Sequence, residues 1–249
     1  KLQSMFMSLC QMDGETEVET TLTQIKEVLE RVSDIPDSVL YQKLVPLLLG
    51  FSLHHKRNIS ENSLLAILHL LKYSELVRVQ FLSSNYVEIL SELLKKNENL
   101  RTVLSIITLF FSSEEYSSLI AEYGLIDLVF NELKKRVEDL RPDIYDSRKT
   151  DEASRLFTPI VQLFKTLNEK GIRQLAPHAF ELISSVMDTS YITVFADDLC
   201  NMIYALHTRG CSEVGITTRL FSLLEDEHCQ KSFSKIMSYL NYVIYESSN

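Results

Sequence analysis

Tryptophan is absent from this 249-residue chain, and glycine and proline are scarce, with six and five copies. A sandwich or barrel of short strands spends such residues on its turns, and no sustained alternation of apolar and polar positions is present either. Sheets are therefore excluded as the main architecture. Long apolar runs are also missing. The longest, "LVPLLLGFSL" and "TVLSIITLFFSS", span 10 and 12 residues, whereas a membrane-crossing helix needs about 20. No membrane span is expected. Basic residues are outnumbered, 25 Lys and Arg against 34 Asp and Glu, for a net charge of -9. That balance opposes the broad positive footprint that phosphate backbones select, so no nucleic-acid partner is expected.

Cysteine is thin: Cys10, Cys200, Cys211 and Cys229 show no framework spacing. Cys10 and Cys200 fall on apolar helix faces, and reduced, mostly buried thiols in a cytoplasmic or nuclear protein are the simplest reading. The first residues, "KLQSMFMSLC", carry neither an initiator Met nor a signal-peptide pattern, so the chain reads as a piece of a longer intracellular protein. What the sequence does have is apolar side chain, 45% of residues, enough for a substantial core. Apolar spacings of three and four recur almost throughout and predict a nearly all-helical protein.

The helices repeat. "FLSSNYVEILSELLKK", residues 81 to 96, returns as "IAEYGLIDLVFNELKK", residues 120 to 135. The same offset places Leu64-Leu65-Ile67-Leu68 on Val103-Leu104-Ile106-Ile107 and Asn85 on Gly124. Asn and Gly best tolerate positive φ, so both positions are expected to turn the chain between two helices. Fainter copies start at Leu44-Val45-Pro46 and Leu175-Ala176-Pro177, with each proline expected in a first helical turn, where a missing N–H costs nothing. Glu88 and Asp127 set negative charge against the dipole at the corresponding helix starts. A last copy begins behind Gly215. A period near 40 in an all-helical chain is the mark of stacked repeats, none of which buries its own apolar face alone.

At this point the sequence resembles the armadillo-repeat family, whose units run short helix, turn, second helix, long third helix. "GLIDLVFNEL" and "RTVLSIITLFF" match the second and third helices, and "IAEY" closes the first. The resemblance implies an all-α, right-handed α-solenoid of about five armadillo or HEAT-like repeats. It divides the chain into N-terminal capping helices at 1–36 and a repeat domain at 37–247, with units near 37–73, 74–112, 113–170, 171–209 and 210–247. In the last two units the short first helix is expected to be lost, giving HEAT-like hairpins. Residues 15 to 33 carry Val18, Leu22, Ile25, Leu29 and Val32 at four-three spacing, which reads as a cap on the first repeat or as a short coiled-coil seam. "RPDIYDSRKTDEASR", residues 141 to 155, reads as an exposed, mobile inserted loop, with Tyr145, Ser147 and Thr150 as accessible phosphorylation candidates.

Chemistry has few footholds. The sequence lacks a Gly-rich phosphate loop, a nucleophile elbow, a His-Glu-x-x-His helix and a Cys-x-x-Cys pair, so no enzyme activity, cofactor or metal is expected. The densest potential ligand set is Cys200, His207, Cys211, His228 and Cys229, but its spacing is scattered. His54-His55-Lys56-Arg57 reads as a cation cluster behind a helix C-terminus, and Lys95-Lys96 and Lys134-Lys135-Arg136 as cations at helix ends. Asp197-Asp198 and Glu225-Asp226-Glu227 read as solvated helix ends.

The resemblance directs attention to the third helices. In armadillo proteins that bind extended peptides they line a groove and carry a Trp followed four residues on by an Asn. Here the Asn place holds His69, Thr108, Lys165, Tyr204 and Tyr245, and the Trp place holds Leu65, Leu104, Val161, Cys200 and Asn241. Neither signature is kept, which argues against importin-like reading of nuclear-localisation peptides. The expected contact residues for a protein partner are Arg101, Thr108, Lys165, Tyr204, Tyr239, Tyr242 and Tyr245, the tyrosines offering apolar area with a hydroxyl. Phe233, Ile236, Met237, Leu240, Val243 and Ile244 already supply the last helix with a core face, so its tyrosines are expected to meet further chain, a docked partner or a second copy in a homodimer. The function implied is that of an adaptor or scaffold holding a peptide or helical segment of a partner. The alternative is a regulatory subunit whose curved face clamps a folded domain, of the chaperone exchange factor or kinase scaffold kind.

Overall fold

Spacings of three and four, uninterrupted by strand signals, fold into thirteen α-helices and no strand among the described residues. The structure is a computed structural model. It describes residues 2–32, 39–83, 86–96, 99–122, 124–140, 147–187, 192–211 and 214–223, with 234, 237, 238, 240, 241 and 245 near the end. The helices form two compact units, Lys1–Leu109 and Phe110–Asn249.

The first unit contains α1 (Leu2–Leu9), α2 (Glu15–Glu30), α3 (Val39–Ser52), α4 (Arg57–Tyr73), α5 (Glu75–Ser83), α6 (Val87–Lys96) and most of α7 (Leu100–Phe111). Its core is an aliphatic stack in which α4 packs on both α2 and α3. Leu22, Ile25, Leu44, Leu48, Ile59, Ile67 and Leu70 are all fully buried there. The apolar stripe of α2 is closed by α4 of the same chain, which removes the coiled-coil seam as a reading. A ladder of polar contacts repeats the sequence period: Asn58 Nδ2 donates to Glu19 Oε1 at 2.8 Å and Asn62 Nδ2 to Thr23 Oγ1 at 3.0 Å. Asn99 Nδ2 donates to Ser60 Oγ at 2.7 Å, and each of the three bonds spans 39 residues. Helix α2 therefore stands to α4 as one unit's third helix stands to the next.

The second unit contains α8 (Glu114–Glu122), α9 (Leu125–Asp139), α10 (Ser147–Thr166), α11 (Glu169–Met187), α12 (Ile192–His207) and α13 (Val214–Leu223). Here α10 packs on α9 and α12, and α11 on α9 and α12. Among the described residues phenylalanines are more frequent in this core than in the first, with Phe110, Phe111, Phe130, Phe157, Phe164 and Phe195 buried here against Phe81 there. Phe157 lies 5.6 Å from Phe195 and Phe130 lies 6.3 Å from Phe164, ring centre to ring centre. Only Leu167 and Asn168 separate α10 from α11, so no short helix stands between them. Gly124 sits at φ 67° directly before α9, the left-handed turn that its place in the repeat required; Asn85 lies outside the described residues.

Several expectations are corrected. Pro46 and Pro177 are inside α3 and α11, seven and eight residues past the helix starts at Val39 and Glu169. The residues before them are helix-compatible and extend the helix backwards, and each proline deprives the carbonyl four residues earlier of its usual donor. Residues 147 to 155 form the first half of α10 and not a loop. Ala153 and Leu156 put apolar side chains three apart on one buried face, enough to hold a charged segment helical. Ser147 is exposed and Thr150 half-buried, while residues 141–146, with Tyr145, lie outside the described residues. Cys10 is exposed, just past the end of α1. Helix α9 runs on to Asp139, so Lys134 and Lys135 are not at its end; Lys134 Nζ instead meets Glu181 of α11 at 3.4 Å.

Candidate interaction surfaces

Each unit offers its own face of third-helix residues. In the first, Arg101 stands exposed in the first turn of α7. Thr108, further along the same face, is half-buried and donates its hydroxyl to the Leu104 carbonyl at 2.7 Å. That bond spends the hydroxyl hydrogen inside the helix and leaves Thr108 only an acceptor to offer. Leu104, at the Trp place, is buried. One repeat before Thr108 stands His69 and one repeat before that Glu30, and these two meet at 3.9 Å. Burial pushes the His69 imidazole below its ordinary range, against the upward pull of Glu30. Its Nδ1 is buried without a hydrogen-bond partner, and its ring lies 6.5 Å from that of Tyr73.

In the second unit Lys165 is exposed in the last turn of α10, and its carbonyl accepts from the Arg209 guanidinium beyond α12. Ser154 Oγ of α10 donates to Asp198 Oδ2 of α12 at 2.8 Å, so this acidic pair lies within α12 and joins two helices instead of ending one. Tyr204 is 44% exposed, because Phe195, Leu199, Met202, Ile203 and Leu206 already fill the buried side of α12. Tyr245 is 68% exposed and Leu240, earlier in the same segment, is buried. Tyr239 and Tyr242 lie outside the described residues, as do His228 and Cys229 and the Glu225–Glu227 run. Among the described residues the remaining C-terminal ligand candidates do not converge into one group; Cys200 and Cys211 are buried and His207 is half-buried. Burial also pushes the Cys211 thiol upward, with Arg173 opposing.

One constellation escaped the sequence reading. The turn after α3 wraps around Glu15, the first residue of α2. Lys56 Nζ lies 2.5 Å from Glu15 Oε2, His55 Nε2 3.3 Å and His54 Nε2 3.8 Å from Glu15 Oε1. The Lys56 ammonium, ahead of the two imidazoles, holds the Glu15 carboxyl below the usual range. The signal was present, since Glu15 stands one repeat period before His54. The repeat register read from the sequence begins with the unit near residue 37, which leaves α2 outside it as a cap and the pairing of Glu15 with His54 unseen.

No protein-family model matches the chain, and no curated protein matches it in sequence. Solved structures do match. A designed armadillo repeat protein in complex with the peptide (KR)4 is similar at a TM-score of 0.64 and 16% identity, over 96% of this chain and 99% of that one. A second designed armadillo repeat protein matches at 0.59 and 15%, over 96% and 100%. A computationally designed armadillo repeat protein for modular peptide recognition gives 0.59 and 15%, over 96% and 99%. The fold is the all-α armadillo-type repeat solenoid, reached by a sequence with little identity to these neighbours.

Proposed function

We propose that this armadillo-type fold serves as a non-enzymatic interaction domain, an adaptor that holds a peptide or helical segment of a protein partner. The observation that carries the reading is Tyr204, a large aromatic left 44% exposed on a third helix whose core side is already complete. Lys165 is exposed at the corresponding place on the neighbouring α10, so the second unit pairs a cation and an aromatic on adjacent third helices. Aromatic rings with a polar tip combine large contact area with low ordering cost, the usual make-up of a binding hot spot. Arg101 and Thr108 are the counterparts on the first unit, and Tyr239, Tyr242 and Tyr245 at the C-terminal end extend the proposal to a partner, or a second copy, at that end. A cytoplasmic or nuclear setting belongs to the same proposal.

The test is selection of a displayed peptide library on the wild-type chain, with rebinding of the selected peptides to Tyr204→Ala and Lys165→Ala. Peptides that lose affinity by about tenfold or more on either variant, as hot-spot truncation gives, support the reading. Selected peptides that bind both variants as well as wild type place recognition elsewhere, and failure to select any peptide favours a partner recognised as a folded domain.

A further inference from the structure

We propose that Glu15, His54 and His55 form a binding site for a divalent transition-metal ion of the zinc type. The site joins the first turn of α2 to the turn between α3 and α4. One ligand atom from each of the three side chains lies within 4.8 Å of the other two. Zinc bonds to imidazole nitrogen and carboxylate oxygen are about 2.0–2.2 Å, so ligand atoms of a tetrahedral shell stand about 3.3 Å apart. The separations from Glu15 Oε1, 3.3 Å to His55 Nε2 and 3.8 Å to His54 Nε2, are already close to that spacing. Two imidazoles and one carboxylate suit zinc and its neighbours, whereas magnesium calls for an all-oxygen shell. A fourth position would face solvent, since the His55 side chain is 73% exposed and that of Glu15 44%.

The scaffold is firm on both sides. The His54 N–H donates to the Phe51 carbonyl at 3.0 Å, fixing the turn to the end of α3. One helical turn along α2, Glu19 is held by Asn58 of α4. Two features oppose the ion, and both shape the test. The Lys56 ammonium occupies Glu15 Oε2, so it competes for the same carboxylate while leaving Oε1 to the metal. His54 Nδ1 accepts the Lys56 N–H at 3.1 Å, a bond that the ring gives up when its Nδ1 carries the proton and its Nε2 faces the ion. Binding would tie together two segments a full repeat apart in the unfolded chain and so stabilise the fold by mass action.

Titration calorimetry of the whole chain with zinc chloride, paired with thermal melts, tests this. The expected result is one zinc per chain and a raised melting temperature, with no response to magnesium chloride. Glu15→Gln and His55→Ala should each weaken zinc by about tenfold or more, the scale on which metal sites lose affinity when their ligation is disturbed. Lys56→Met should tighten it, because it removes a competing cation and keeps every ligand; a cluster of purely structural ion pairs offers no reason for that gain. His55 is exposed enough to be removed without unfolding the protein, so its variant reads ligation alone. Absence of saturable zinc binding overturns the proposal, as does zinc binding that is unchanged in Glu15→Gln and His55→Ala, which assigns the ion to other groups such as the thiols.

Discussion

Replacing Asn99 tests the inter-repeat ladder and the turn chemistry together. Asn99 has φ 50°, the one non-glycine residue in the left-handed region among those described, and its carbonyl accepts the N–H groups of Thr102 and Val103 at the start of α7. Its side chain reaches back one repeat to Ser60 Oγ, which in turn donates to the Ser52 carbonyl. Ser60 and Ser52 are essentially fully buried. Alanine at position 99 loses the side-chain bond, worth about 1 kcal/mol, and places a Cβ in the left-handed region for about 1 kcal/mol more. Glycine loses the same bond but takes the backbone conformation freely. The expected costs are therefore about 2 kcal/mol for Asn99→Ala and about 1 kcal/mol for Asn99→Gly, the reverse of the usual order inside helices. Urea unfolding followed by circular dichroism measures both, with a Ser60→Ala partner variant to close a double-mutant cycle. A coupling of about 1 kcal/mol between positions 60 and 99 is expected. If alanine proves no more costly than glycine, or the coupling is absent, the turn and the ladder do not contribute as described.

Gly124→Ala should cost about 1 kcal/mol from backbone strain alone, since an added Cβ meets nothing within 4 Å, and the same urea series reads it. Leu22→Ala removes a fully buried side chain of α2 and should cost about 2–5 kcal/mol; a loss under about 1 kcal/mol would put α2 outside the core. His69 gives a pH signature. Its folded value lies below the ordinary 6.5 because of burial, with Lys72 and Lys26 adding to the lowering and Glu30 opposing it. The unfolded chain therefore takes up the proton more readily, and stability present above pH 6.5 is lost as the pH falls from there through the folded value. His69→Gln should flatten that part of the stability curve, and an unchanged slope would assign it to other groups.

How much was legible depended on where the repeat was strong. Apolar spacing sets the helices, and the match of Asn85 and Val87–Leu94 to Gly124 and Ile126–Leu133 points to the left-handed turn found at Gly124. Charge and polarity misled where burial decided the outcome. The 141 to 155 segment is charged, yet Ala153 and Leu156 anchor its second part as helix α10. Pro46 and Pro177 read as helix starts because a first turn is where a proline costs nothing, but tertiary packing tolerates them mid-helix in α3 and α11. The Glu15 cluster needed the repeat to be carried back into α2, whose apolar stripe alone reads as a cap. Exposure of Tyr204 was legible only in part, because the sequence shows which residues share a face but not when that face is full.

The central claim is that third-helix residues, Tyr204 foremost, meet a protein partner. A photo-crosslinking amino acid placed at position 204, with Glu181 on α11 as the control site, tests it directly in cells. The account predicts a discrete crosslinked protein from position 204 that is absent from position 181, with peptide mapping locating the adduct to one segment of that partner. Equal crosslinking from both positions, or none from position 204 while the chain remains folded, would contradict it.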